Sequence, residues 1–377
     1  MTRDVPFFIG SEVFRTKDQR SGHPLAVPRV SLAMDLCRSL GWLNESNFVD
    51  SPRATKADLV DFHSSDYIDA VVSAEKSGEI NALQAQRYNI GVNGNPIFKG
   101  MYSRPATACG GGLWAAERLS ANGGVFYNIG GGQHHSWPNR ASGFCYFNEP
   151  VLSIRALLNQ GIERVFYLDL DAHQGDAVQA AFSKEPRVFT LSIHEFGRWP
   201  MTRNSRPGAF GTSEDGGPAH RNLAVMPGFN DTELEYVMDV AVLPLLQAFQ
   251  PQVVYCQCGC DALADDPQSK LKLSNTAIWR SIAMIRDNIP DLLVSGGGGY
   301  NPYAVGRCWS GVWATLNGFD IPDHLPEPAK ALMAEIKWRH RLGRSPSPHW
   351  LSTLADSPRP GPIRNDTKEL IRKSFMI

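Results

Sequence analysis

Five short apolar runs, each passing directly into polar chemistry, constrain this chain more than any other feature. They are Gly124 to Ile129, Arg164 to Leu170, Arg187 to Ile193, Gln252 to Cys258 and Asp291 to Val294. Each is rich in β-branched and aromatic residues and nearly continuous rather than alternating, the pattern of strands covered on both faces. Helix-period segments lie between or beside them: Pro150 to Asn159, Gly175 to Phe182, Thr232 to Phe249 and Asn275 to Asn288. Alternation of strand and helix predicts an α/β protein with a mostly parallel sheet. The polar segments after the five runs are Gly130 to His135, Asp169 to Asp176, Ser192 with His194, Cys260 with Asp261, and Gly296 to Tyr300. Open α/β sheets bind ligands beyond the carboxyl ends of their strands, so these segments are expected to meet in one crevice.

A chain of 377 residues with 42% hydrophobic content can bury a sizeable core. Neither an internal repeat nor a linker is evident, and a single domain over residues 1–377 is expected. With 37 basic and 38 acidic residues the net charge is −1, which argues against steering toward nucleic acid or an anionic membrane. The opening MTRDVPFFIGSEVF lacks the apolar core of a signal peptide, and no run is long enough for a spanning helix, so the expected location is cytoplasmic. Seven cysteines, an odd number in a chain too long to need staples, read as reduced thiols. Glu195 to Asn222 reads as a long surface loop, and Ser345 to Asp366 as an irregular Pro- and Ser-rich tail. Oligomeric state, a homo-oligomer included, is left open.

The richest segment is VFYLDLDAHQGD, Val165 to Asp176, in which strand alternation puts Asp169, Asp171 and His173 on one side. Burying three ionisable groups together is costly unless a cation compensates; the alternative is a solvated strand-to-helix turn. Asp171, His173 and Asp261 make a two-carboxylate, one-imidazole set that leaves positions open for water and substrate, as a catalytic metal requires. Asp261 could instead cap a helix over Ala262 to Ala264. His134 and His135 follow three glycines. Adjacent imidazoles cannot both be cheaply protonated, so one suits a general base and the other a charged stabiliser, with Asp169 and Asp176 available behind them. The alternative is a surface loop or a phosphate cradle. SGGGGYN, Ser295 to Asn301, would bring the Tyr300 hydroxyl to the crevice to donate to an oxyanion, or Tyr300 could simply pack. Cys256, Cys258 and Cys260 read as small buried strand residues and His194 as a packed polar neighbour of the site. No GxSxG elbow supports a serine hydrolase.

Together, GHPLAVPR (Gly22 to Arg29), GGGQHHSWPNRASGFCYFN (Gly130 to Asn148), YLDLDAHQGD, QCGCDALADDP (Gln257 to Pro267) and GGGGYN resemble the zinc-dependent histone deacetylase family, closest to its bacterial acetoin-utilisation type. The motifs run from Gly22 to about Gly318. The resemblance implies the arginase/deacetylase fold, with about eight mostly parallel strands flanked by helices. It implies that Asp171, His173 and Asp261 ligate one zinc or ferrous ion. His135 with Asp176 would be the general base, His134 with Asp169 its electrostatic partner, and Tyr300 the residue that polarises the amide carbonyl. Gly143, Phe144 and Trp199 would wall the acyl-lysine tunnel, Arg29 would line an internal acetate channel, and Gln268 would lie at the rim. A structural potassium or sodium ion would sit against Asp169, Asp171, His173, Ser192 and Ile193.

Two departures stand out. The family's substrate-clamping aspartate is absent from the loop Gly91 to Pro96, GVNGNP, where only Asn93 and Asn95 are near; and a family turn is replaced by PMTRNSRPGAFGT after the third strand. The expected reaction is removal of an acetyl or similar group from an acylated amine: acetyl-lysine first, acetylpolyamines or small aryl amides as alternatives. A ureohydrolase would want aspartates at Gly175 and Leu263, where there are none, and a silent acyl-ligand-binding protein would be free to lose catalytic residues that are all present.

Overall fold

The computed structural model describes residues 5–15, 23–201 and 219–375. Gly22, most of the long loop after Glu195 and nearly all of PMTRNSRPGAFGT lie outside them. Eight strands form one parallel sheet: β1 Phe7–Gly10, β2 Phe48–Asp50, β3 Val125–Asn128, β4 Val165–Asp169, β5 Val188–Glu195, β6 His220–Val225, β7 Val253–Gln257 and β8 Leu292–Ser295. Their spatial order is β2-β1-β3-β8-β7-β4-β5-β6. Five of them are the apolar runs of the sequence.

Strand parity divides the core. Phe166, Leu168, Val254 and Cys256 face one layer, made by helices Val30–Ser39, Asn275–Asn288 and Pro302–Asn317. Val165, Tyr167, Val253 and Tyr255 face the other, made by Ser103–Asn122, Glu149–Asn159 and Asp176–Phe182. Cys256, Cys258 and Cys260 are buried in the first layer, and all seven cysteines are unbridged. The segment Thr232 to Phe249 is helical, but widens into a π turn at Met238–Val242 ahead of Pro244, where an ordinary α-helical hydrogen bond would be lost.

Register, more than strand number, positions the site. Asn128, Ser295, Gln257, Asp169, Ser192 and Asn222 are paired neighbour to neighbour across six strands. They form one buried polar row where the pairing of the central strands ends. Hydrogen-bonding side chains therefore replace the apolar core at a single level, and the functional loops start just above it. No helix among the described residues is long and apolar enough to cross a membrane.

Candidate active site

β4 ends at Asp169, and the chain turns so that Asp171 Oδ1 accepts the His173 backbone N–H at 3.0 Å. From β7, Asp261 reaches across. Its Oδ1 accepts the Ala172 N–H at 2.8 Å, while Oδ2 lies 3.0 Å from His173 Nδ1; Asp171 Oδ1 lies 3.2 Å from the same nitrogen. No helix forms over Ala262 to Ala264, so Asp261 is not a cap. One donor atom from each of Asp171, His173 and Asp261 lies within 4.8 Å of the others. The two carboxylates, fully buried, draw positive charge to this point. Burial alone would lower the His173 pKa, yet Asp261 and Asp171 outweigh it and hold the imidazole up to about 10. Glycines close the cradle: a Cβ on Gly298 would meet Asp261 Oδ2 at 2.0 Å, and one on Gly259 would meet Asp171 Oδ2 at 2.2 Å. Mixed oxygen and nitrogen donors with this demand for positive charge fit a divalent ion such as zinc or ferrous iron.

His134 and His135 stand beside this cluster with ring centroids 3.9 Å apart. His134 Nδ1 lies 2.7 Å from Asp169 Oδ2, and His135 Nδ1 lies 2.8 Å from Asp176 Oδ1. Their environments drive them apart. For His134 burial is opposed by the charges of Asp169 and Asp171, which hold its pKa up to about 9. For His135 burial and the neighbouring His134 charge win over Asp176 and push it down to about 4. The surroundings thus favour the charged form of His134 and the neutral form of His135, whose Nδ1 faces Asp176 and leaves Nε2 free of that carboxylate.

His135 lines a cavity of about 1190 Å³ together with Gly143, Phe144, His173, Trp199 and Tyr300, with Gln268 on its wall, while His134 and Asp171 line a smaller cavity that shares His135, His173 and Tyr300 with it. Ser142 and Cys145 pair backbone to backbone around Gly143 and Phe144, both at positive φ (53° and 67°), the geometry of a tight two-residue hairpin. Asn95 Oδ1 accepts the Phe144 N–H at 2.9 Å and holds the strained residue in place. Asn95 is thus committed beneath the loop, and Asn93 bonds Asn89, so neither substitutes for a clamping carboxylate.

A profile of the histone deacetylase domain matches residues 23–316. Histone deacetylase HDAC1 of Drosophila melanogaster is 32% identical over 310 residues, 81% of this chain and 58% of that protein. The acetoin utilization protein AcuC of Bacillus subtilis is 30% identical over 327 residues, covering 85% and 84%. The chain belongs to the histone deacetylase family. A crystal structure of a histone deacetylase homologue from Aquifex aeolicus superposes with a TM-score of 0.92 at 32% identity, over 98% of this chain and all of that one. The same fold, with SAHA bound, matches at 0.91. The match spans about 58–65% of the length of several eukaryotic relatives. The eight-stranded sheet is the arginase/deacetylase fold of this family, which is metal-dependent.

Within this deacetylase fold Arg29 lines this second, small cavity together with Asp171 and His173, its Nη1 donating to the Gly297 carbonyl at 2.8 Å. Asp169 and Ser192, two of the residues implied for a monovalent cation, are register partners, and Ile193 follows on β5. Sequence reasoning missed the residues that hold the site. The Tyr167 hydroxyl donates to Asp169 Oδ2 at 2.7 Å, and the Gln257 amide lies 2.9 Å from His134 Nδ1. Glu149, fully buried, accepts the Gly132 N–H at 2.9 Å and fixes the glycine turn before the histidines. Asp266 accepts the Tyr300 and Asn301 N–H groups at 2.6 and 3.2 Å, and burial, with the charge of Asp261, pushes its carboxyl up to about 7. The only signal for Tyr167 was its place two residues before Asp169. A second acidic group, Asp265, His349 and Asp356, is already compensated: Arg307 Nη1 lies 2.8 Å from Asp356, an ion pair by distance although poorly aligned as a hydrogen bond, and Arg359 lies 3.4 Å from Asp265.

Proposed function

We propose that this chain is a metal-dependent amidohydrolase that removes an acetyl or similar acyl group from an amine. The observation that carries the reading is geometric: His134 and His135, backed by Asp169 and Asp176 at 2.7 and 2.8 Å, stand beside the buried Asp171, His173 and Asp261 donor set, and His135 and His173 open onto the large cavity. Asp171, His173 and Asp261 would hold one zinc or ferrous ion, which when bound polarises the amide carbonyl and acidifies water. His135, neutral and oriented by Asp176, accepts the proton of the attacking water on Nε2 and returns it to the amine as it leaves. His134 keeps its charge against Asp169 and stabilises the negative charge that develops. Burial, reinforced by Asp261 and Asp171, holds the Tyr300 phenol protonated, so it donates to the carbonyl oxygen as that becomes an oxyanion.

Phe144, Trp199 and Gly143 flank the acyl chain; a Cβ on Gly143 would stand 2.6 Å from both His135 and Trp199. Arg29 orients the released acid in the smaller cavity, and a potassium or sodium ion would support the β4 turn through Asp169, Asp171, His173, Ser192 and Ile193. The SAHA complex of the homologous structure supports an acylated amine as ligand. The reducing cytoplasm suits seven buried, unbridged cysteines. A ureohydrolase reading is disfavoured because Leu263 is a buried core residue and a Cβ on Gly175 would stand 2.6 Å from Asp169 Oδ2, leaving no room for further metal-bridging carboxylates.

The deciding experiment is acetate release by protein reconstituted with zinc or ferrous iron, across acetyl-lysine peptides, acetylpolyamines and aryl amides, with metal counted per chain. Turnover with one ion per chain supports the reading. A fully loaded protein inert on the whole panel, or one needing two ions, overturns it.

A further inference from the structure

Around the mouth of the large cavity the charge is one-sided. Arg87, Arg140, Arg198 and Lys270 line it, and Glu195 is the sole carboxylate among its described lining residues. The whole chain is almost neutral, at −1, so this is a local concentration. Arg198 is matched by Glu195 at 2.8 Å and Arg87 by Asp66 at 2.5 Å. Arg140 and Lys270 are exposed, and among the described residues neither has an ion-pair partner; Arg140 rests over the Trp137 ring at 5.2 Å. The only side chains the Gly91 to Pro96 loop gives this wall are neutral, from Asn93.

The cations come from separate elements: the helix Ala82–Tyr88, the loop after the histidine pair, the turn after β5 and the loop after β7. Positive charge spread around a rim complements a chain bearing several acidic groups. A cavity of about 1190 Å³ is also larger than a small amide needs. We infer that the substrate is an acyl-lysine set in an acidic protein segment, with aspartate or glutamate flanking the modified lysine, and that polycationic amines and basic tails are disfavoured. This rests on the deacetylase reading above and adds the charge of what lies outside the tunnel.

The test uses zinc-loaded full-length protein and acetyl-lysine peptides identical except for two flanking residues on each side, Asp/Glu, Gly/Ser or Lys/Arg, with N-acetylspermidine beside them. Kd from fluorescence anisotropy of labelled peptides and kcat/KM for acetate release are both measured at 20 mM and 500 mM salt. The expected order is acidic, then neutral, then basic, with about a tenfold span between acidic and basic at low salt that shrinks to within about threefold at high salt. Arg140→Glu with Lys270→Glu reverses the order, and Arg140→Gln with Lys270→Gln flattens it. Equal or better binding and turnover of basic peptides or N-acetylspermidine overturns the inference while leaving the deacetylase reading intact. Charge-ordered binding without turnover of any peptide does the converse.

Discussion

Gly298 has no space for even one methyl group. Its backbone N–H donates to Asp171 Oδ2 at 2.7 Å, and an added Cβ would lie 2.0 Å from Asp261 Oδ2 and 2.8 Å from Asp171 Oδ2. Those oxygens are buried and already bonded, so they cannot swing aside. Gly298→Ala is expected to weaken divalent-ion affinity by roughly ten- to a hundredfold with secondary structure retained, as read by chelator competition and far-ultraviolet circular dichroism. For the chemistry itself, His135→Ala and Tyr300→Phe should fold normally and lose about 10²–10⁴ in kcat with little change in KM; full acetate release by either would remove it from the mechanism. The ionisable residues were legible because clustered Asp, His and Tyr after apolar runs have few bland explanations. Gln257, Glu149 and Asp266 were not, since nothing in their local sequence distinguishes them from ordinary strand, helix-start and loop residues until register and turns bring them to His134, Gly132 and Tyr300.

Among the elements, the helix Ser103–Asn122 hid itself behind ACGGGLW, because three consecutive glycines argue against helix by propensity. Close packing explains them: a Cβ on Gly110 would stand 2.1 Å from the Pro52 carbonyl, and one on Gly112 2.1 Å from Glu149 and Ser153. β1, β2 and β6 were equally hidden, the first two by their four- and three-residue length and β6 by its polar start, His220, Arg221 and Asn222. A single histidine, outside these elements, holds the loop that follows His134 and His135. His63 faces the Trp137 carbonyl through Nδ1 at 3.1 Å and accepts the Asn148 N–H on Nε2 at 2.9 Å, while Asn148 Nδ2 donates to the Ser136 carbonyl. This fixes a neutral ring, and burial pushes its pKa from 6.5 down to about 4. The folded state therefore binds this proton less readily than the unfolded chain. Its contribution, roughly 3 kcal/mol, is present above pH 6.5 and is lost as pH falls toward 4. Urea unfolding at pH 7, 5 and 4 should show a steeper acid loss in the native protein than in His63→Gln; parallel curves would exclude His63 as the cause.

At the scale of the whole molecule the C-terminal segment is part of the architecture. The tail expected to be irregular contains a short helix, Pro348–Ser352, and its path is pinned by buried bonds. Asn275 donates to the Leu354 carbonyl at 2.8 Å and accepts the Asp356 N–H at 2.8 Å, Asp231 accepts the Arg359 N–H at 2.6 Å, and buried Glu233 accepts from Arg364 and Thr367. Trp350, Leu354 and Ile371 join the main core. Removing residues 345–377 should therefore lower the thermal midpoint by at least about 10 °C or leave the protein insoluble, and an unchanged calorimetric midpoint would show the segment to be dispensable. The alternating strand–helix order made the sheet legible from sequence; this clasp was not, because its partners lie 79 to 134 positions apart.

The buried row from Asn128 to Asn222 makes the backbone ladder a ruler for the catalytic groups. One residue along a strand is about 3.3 Å, longer than a whole metal–ligand bond of about 2 Å. Slippage of β4 against β7 by one position would invert Asp169 and carry Asp171 away from Asp261 in the same step. An insertion or deletion within these strands would break the spacing of Asp171 and Asp261, whereas one in the loops above would change the cavity wall and leave that spacing fixed.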